Sequence, residues 1–249
     1  MDSLFIFSGA CANDLINKHL WVKGASLFIP QMNELLDHTD YKFEVTDMKS
    51  FDNDEAGFFS DILKKNKSDK SNPNNYYILY SYIINRLGGR DAHLDTLEIG
   101  IGTNNPALVS NMGVNGRPGA SLYAFKEYLT NSTIHGADVD KDILFQEDRI
   151  KTSYVDQLES NSFTEMLNNF GNIKYDLIID DGLHSIGANF NTLLFALKNI
   201  KEKGWIVIED IHGIHKWKAI DFILKSTNKY KTYIVNTNSR AHLYVINKL

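Results

Sequence analysis

The chain has 249 residues, enough to bury the core of one α/β domain of ordinary size with an extension, and its length does not require two full domains. A formal net charge of -5 supplies no basic field to gather phosphates, which argues against nucleic-acid binding and for small-molecule partners. The single cysteine, Cys11, cannot close an internal disulfide, no Cys/His cluster of zinc type occurs, and no run approaches the roughly 18 apolar residues of a membrane span, so the expectation is a cytoplasmic protein without a membrane contact.

The start superficially looks like a signal peptide, with small residues after Leu4 to Phe7. Asp2 stands where a positive charge belongs and the apolar run is too short, so it reads as mature protein. Up to Leu63 the chain mixes short apolar clusters (Leu4 to Phe7, Leu20 to Val22, Leu27 to Ile29) with helical patterning at Met32 to Leu36 and Phe58 to Leu63. Lys64 to Asn75 then carries no large hydrophobe and reads as a polar linker. The boundary is placed there, with an N-terminal auxiliary segment over 1–75 and the main domain over 76–249.

Patterning becomes regular from Tyr76. Tyr76, Tyr80, Ile83, Ile84 and Leu87 share one helical face, and Gly88-Gly89 stops the helix. Thr96 to Gly100 reads as the first core strand, running into Gly100-Ile-Gly102, where glycines let backbone amides approach a ligand. A dinucleotide fingerprint needs a third glycine and an immediate helix. Here an irregular stretch from Thr103 to Pro118 intervenes, and the next helix begins only at Gly119 to Leu122, which argues against a nicotinamide site.

Ser132 to Asp138 reads as a second strand closing on an acid. Asp138 can accept hydrogen bonds from both hydroxyls of a ribose; alternatively Asp138 or Asp140 caps the next helix. A third strand over Ile150 to Val155 ends in Asp156-Gln157, with the same two readings for Asp156. Tyr175 to Asp180 is a short buried strand that ends in Asp180-Asp-Gly-Leu-His184, and Trp205 to Asp210 repeats the pattern with Glu209, Asp210 and, close behind, His212. Between them Ile186, Phe190, Leu193, Leu194, Leu197 and Ile200 form an amphipathic helix. A helix around Trp217 to Leu224 and a closing hairpin, Lys231 to Thr237 with His242 to Asn247, complete the chain.

These pieces resemble class I S-adenosylmethionine-dependent methyltransferases, and among them the metal-dependent sugar O-methyltransferases of the mycinamicin and macrocin group. Glu98-Ile-Gly-Ile-Gly102, Gly119-Ala-Ser-Leu122, Asp180-Asp-Gly-Leu-His184 and Ile208-Glu-Asp-Ile-His212 carry the likeness. It implies a Rossmann-like doubly wound, mainly parallel sheet with an antiparallel hairpin edge. It also implies that Glu98, Gly100, Gly102, Asp138 and Asp156 hold the cofactor, that Asp181, Glu209 and Asp210 hold Mg²⁺ or another divalent cation, and that His184 is the general base. Leu183 departs from the usual Ser of its motif, and the N-terminal segment has no counterpart.

Carboxylates past two adjacent strand ends lie within about 5 Å sheet spacing and raise each other's pKa unless a cation joins them; oxygen ligands without cysteine favour a hard ion. The bland reading makes Asp180 or Asp181 a helix cap and leaves Glu209-Asp210 solvated. His212 and His215 compete with His184 for the role of base, whereas His135 and His242 read as structural. The expected acceptor is a hydroxylated small molecule, a glycoside or saccharide, and a homo-oligomer is compatible with the chain. The rival readings are a metal-dependent hydrolase and a non-catalytic S-adenosylmethionine-binding domain.

Overall fold

The computed structural model describes Gly24, residues 28–237 and residues 241–249. The clusters at Leu4 to Phe7 and Leu20 to Val22, the leader-like start and Cys11 lie outside the described residues, as does most of the turn between the last two strands. A helical run over 28–37, here α1, meets the patterning at Met32 to Leu36. The remaining helices are α2 (Ala56–Lys65), α3 (Tyr77–Arg86), α4 (Ala120–Tyr128), α5 (Ser160–Asn169), α6 (Ile186–Asn199) and α7 (Lys218–Ser226).

Nine strands form one sheet among the described residues: β1 (Val45–Asp47), β2 (Asp95–Ile99), β3 (Thr133–Asp138), β4 (Gln146–Glu147), β5 (Ile150–Tyr154), β6 (Tyr175–Asp180), β7 (Ile200–Ile211), β8 (Tyr230–Asn236) and β9 (His242–Lys248), in the order β1-β8-β9-β7-β6-β2-β3-β5-β4. The central pairs β5-β3, β3-β2, β2-β6 and β6-β7 are parallel, and β9 runs antiparallel to both β7 and β8. Period-two alternation sorts the strand side chains to two faces. Leu177, Ile179, Trp205 and Val207 pack with Phe59, Leu79, Tyr80, Ile83 and Phe125 of α2, α3 and α4, while Ile178, Ile206 and Ile208 pack with Phe163, Leu193, Ala196 and Leu224 of α5, α6 and α7. The result is helix, sheet and helix in three layers.

Two expectations are corrected. The hairpin is not the sheet edge, because β9 inserts between β7 and β8, and β1 pairs in parallel with β8 on the far side. Leu243 to Ile246 are fully buried in that position, so β9 needs neighbours on both sides and on both faces. The polar stretch Lys64 to Asn75 is not a tether. Asn66, Ser68, Lys70, Ser71 and Asn75 are all buried and serve internal hydrogen bonds and an ion cluster, while Lys64, Lys65, Lys67, Asp69 and Asn72 face solvent. Nor does the N-terminal region stand apart, since α2 packs on α3 and α4 and β1 extends the sheet.

From β2 the chain builds one half of the sheet through β3 and β5, then crosses to build the other through β6 and β7. Such a reversal opens a crevice beyond the carboxyl ends of the flanking strands.

Candidate active site

A cavity of about 590 Å³ lies at that crevice, lined among others by Glu98, Gly100, Gly102, Asp138, Asp156, Asp181, His184 and Asp210. Its volume suits a cofactor-sized ligand. On one side stand the exits of β2, β3 and β5. Gly100 and Gly102 both adopt left-handed backbone, with φ of 86° and 84°. The ladder continues past the strands, with Gly100 donating to the Ala137 carbonyl and Asp181 to the Ile99 carbonyl, each at 2.8 Å. A Cβ on Gly100 would lie 2.1 Å from the Asp181 carbonyl oxygen, and one on Gly102 would lie 2.4 Å from the Met112 sulfur. Gly100 is therefore required first by the approach of two backbones, before any ligand is considered.

Asp138 is nearly buried. Its Oδ2 accepts from the Ile101 amide and its Oδ1 from the Asp140 amide, both at 2.9 Å. Burial pushes its pKa up, and these amides oppose the shift. The short helical turn after it is capped by Asp140, which accepts from the Asp142 amide, so Asp138 is left facing the cavity with its remaining lone pairs. Asp156 accepts from the Leu158 amide at 2.8 Å and lines the same wall. The irregular stretch after Gly102 closes over the cavity: Met112 N donates to the Thr103 carbonyl at 2.8 Å, and Ser110 reaches the Gly182 carbonyl at 3.0 Å.

On the other side, β6 ends in two carboxylates with different surroundings. Asp180 is fully buried and accepts from Gln157 at 2.7 Å and Asn189 at 3.0 Å, while Gln157 also receives the Leu183 amide at 2.7 Å. Asp180 and Gln157 thus hold the turn that presents Asp181 and His184. Neither aspartate caps α6, since Ser185 does so by accepting from the Ala188 amide. His184 and Asp210 both sit at φ 53°. Left-handed backbone at non-glycine residues costs of order 1–3 kcal/mol each and collects at functional turns.

The acidic residues converge as expected, and a residue not anticipated lies among them. Lys70, 1 % exposed, comes within 2.6 Å of Asp181 Oδ2, 2.7 Å of Glu209 Oε2 and 3.1 Å of Glu98 Oε1. The Glu98 contact is ionic without hydrogen-bond alignment; the other Glu98 oxygen accepts from Ser121 at 2.6 Å. Burial opposes the ammonium charge, yet the three carboxylates outweigh it and hold the Lys70 pKa well above its ordinary value. The second Glu209 oxygen accepts from the Tyr80 hydroxyl, and Asp210 accepts from the Tyr76 hydroxyl. Burial, reinforced by Asp181, works against the charge on Glu209 and Lys70 favours it, while burial pushes Asp181 up to about 6.

Nothing in the polar run around Lys70 marks it, and Tyr76 and Tyr80 read as apolar members of a helix face. The available signal was charge balance, because four converging acids require a cation.

With both oxygens of Glu209 taken up, the cavity-facing donors are Asp181, His184 and Asp210, whose ligand atoms lie within 4.8 Å of one another. Two carboxylates and an imidazole, all partly exposed, fit a divalent cation with positions left for another ligand. His184 Nε2 is 3.8 Å from Asp181 Oδ1, and its Nδ1 is buried without a hydrogen-bond partner. His212 and His215 are exposed and outside the cavity lining. His135 is buried on β3 against the Thr96 carbonyl at 3.2 Å.

A doubly wound sheet with the central order β5-β3-β2-β6-β7-β9-β8 and a glycine turn at its switch point is the fold of class I methyltransferases. In structure the chain is similar to MycE, a methyltransferase from the mycinamycin biosynthetic pathway, in complex with Mg and SAH. The TM-score is 0.60 at 19 % identity, over 76 % of this chain and 54 % of that one. The MycE complex with Mg, SAH and mycinamycin VI gives 0.58 at 18 %, with 76 % and 54 % covered. A putative ribosomal RNA methyltransferase from Plasmodium falciparum gives 0.50 at 15 %, with 70 % and 94 % covered. The chain spans about half the length of MycE, and the likeness at these identities is one of fold. No protein-family model matches the chain, and no curated protein matches it by sequence.

Proposed function

We propose that the protein is an S-adenosylmethionine-dependent O-methyltransferase acting on a hydroxyl of a sugar or other polyhydroxylated small molecule, with a divalent cation at the acceptor. One observation carries this reading: a single cavity joins the glycine turn, Asp138 and Asp156 on one side to Asp181, His184 and Asp210 on the other. The Mg and SAH of the MycE complexes support carrying both groups over.

S-adenosylmethionine supplies a methyl group on a sulfonium, so displacement needs no proton donated to the leaving group. Asp138 accepts the ribose hydroxyls, Asp156 faces the adenine side, and the turn from Gly100 to Gly102 admits the methionine portion against backbone amides. A divalent cation held by Asp181 and Asp210 supplies charge that makes a nearby hydroxyl easier to deprotonate. His184 takes the acceptor's proton. Exclusion of water falls to the stretch from Thr103 to Pro118.

The test is calorimetric binding of S-adenosylmethionine, followed by transfer of its labelled methyl group to a panel of glycosides with and without chelator. Cofactor binding that survives chelation, with transfer that stops, is the expected result. Transfer unaffected by the chelator removes the cation from the reading, and failure to bind S-adenosylmethionine removes the whole of it.

A further inference from the structure

Four carboxylates, Glu98, Asp181, Glu209 and Asp210, converge at the ends of β2, β6 and β7, and the structure sets one ammonium among them. We infer that Lys70 is a resident cation of this cluster, which keeps Glu209 from coordinating a divalent ion and confines any such ion to the outer face made by Asp181 and Asp210, beside His184. Lys70 is thereby a positioning residue: it acts through the carboxylates it holds.

Three features support this. Lys70 is 1 % exposed, its reach fully committed, at 2.6 Å from Asp181 and 2.7 Å from Glu209. The Tyr80 hydroxyl takes the other Glu209 oxygen, so that carboxylate has no oxygen turned toward the cavity. The backbone around the lysine is itself packed, with Ser68 and Ser71 buried, Ser71 donating to the Ser68 carbonyl at 3.1 Å, and Tyr77 N bonded to the Lys70 carbonyl at 3.2 Å. The ammonium is thus held between packed backbone and carboxylates. It also divides Asp181, whose Oδ2 faces Lys70 while Oδ1 faces His184 at 3.8 Å.

The inference rests on the cluster being the acceptor end of the proposed active site, but its test reads ion binding and not turnover, so the two can fail separately. Mn²⁺ affinity is measured by calorimetry for the wild type, Lys70→Met and Lys70→Gln. Removing a unit positive charge from beside a divalent ion in a partly buried site, and freeing Glu209, should tighten Mn²⁺ binding by about tenfold or more. Mn²⁺ binding that appears only in the variants is the same result in its extreme form. Affinity that stays the same or falls overturns the inference.

If neither variant folds, the wild type decides. Amine acylation followed by peptide mass spectrometry should find Lys70 the slowest-reacting lysine, with and without millimolar Mn²⁺. Acceleration at Lys70 on adding Mn²⁺ would show the ammonium leaving in favour of the ion, and that outcome also overturns the inference.

Discussion

Replacing Asp138 by Asn separates what this carboxylate does for the fold from what it does for a ligand. In the structure its two oxygens accept from the backbone amides of Ile101 and Asp140, both at 2.9 Å, in a position 6 % exposed. An Asn side chain has one oxygen and one NH₂ group, so one of these amides must face a donor in place of its acceptor. Leaving a buried donor unpaired costs about 1–3 kcal/mol. At about 2–4 °C per kcal/mol for a chain of this size, the melting temperature should fall by about 2–12 °C. A ribose whose hydroxyls donate to the carboxylate loses charge-assisted hydrogen bonds worth about 1.5–3 kcal/mol, so affinity for S-adenosylhomocysteine should fall by about 10–100-fold. Differential scanning fluorimetry and calorimetric titration on the same preparation read the two effects. Unchanged affinity in a folded Asp138→Asn protein refutes the ribose contact, and an unchanged melting temperature refutes the pairing with the two amides.

Gly100→Ala should destabilise the free protein by about 2–4 kcal/mol, from left-handed backbone at φ 86° and a Cβ 2.1 Å from the Asp181 carbonyl oxygen; a variant that keeps its urea midpoint but fails to bind cofactor would show that the glycine serves the ligand alone. His184→Ala should lower kcat by about 10²–10⁴-fold with cofactor affinity retained and part of the rate recovered at high pH, whereas loss of Mn²⁺ binding in this variant would make the imidazole a ligand. His135 gives a pH-dependent prediction. Burial lowers its pKa below the ordinary value, so the folded state binds fewer protons than the unfolded one and stability declines as pH falls below about 6.5. The stability advantage of wild type over His135→Asn should therefore be larger at pH 7.5 than at pH 5.5, and a gap independent of pH counts against a buried neutral imidazole.

Much of the scaffold could be read locally. Buried strands of five or six residues, helices with a 3.6-residue apolar period and glycines at their ends are patterns set by neighbours in the chain, and β2, β3, β5, β6, α3, α4 and α6 follow them closely. The acids at the strand ends were visible for the same reason, since a residue just past a buried strand has to leave the sheet at a known edge. The strand β1 and helix α5 were not anticipated. β1 is three residues long, too short to display alternation, and α5 (Ser160–Asn169) buries only Ser162, Phe163 and Met166, too sparse an apolar stripe to announce itself.

By itself the sequence placed Asp138, Asp181, His184, Glu209 and Asp210 at or just beyond strand ends, through strand periodicity and the turns that follow, and the resemblance to class I methyltransferases added Glu98. Only the tertiary structure decided how their charges are shared. Lys70 lies 111 residues from Asp181 and 139 from Glu209 in the chain, in a run whose polarity looks like exposure, and no periodicity links them. The same holds for Tyr76 and Tyr80, whose rings satisfy the apolar pattern while their hydroxyls bind Asp210 and Glu209. Local pattern is governed by backbone geometry over a few residues. Charge compensation in a buried site is governed by distance in space, and only the fold sets that distance.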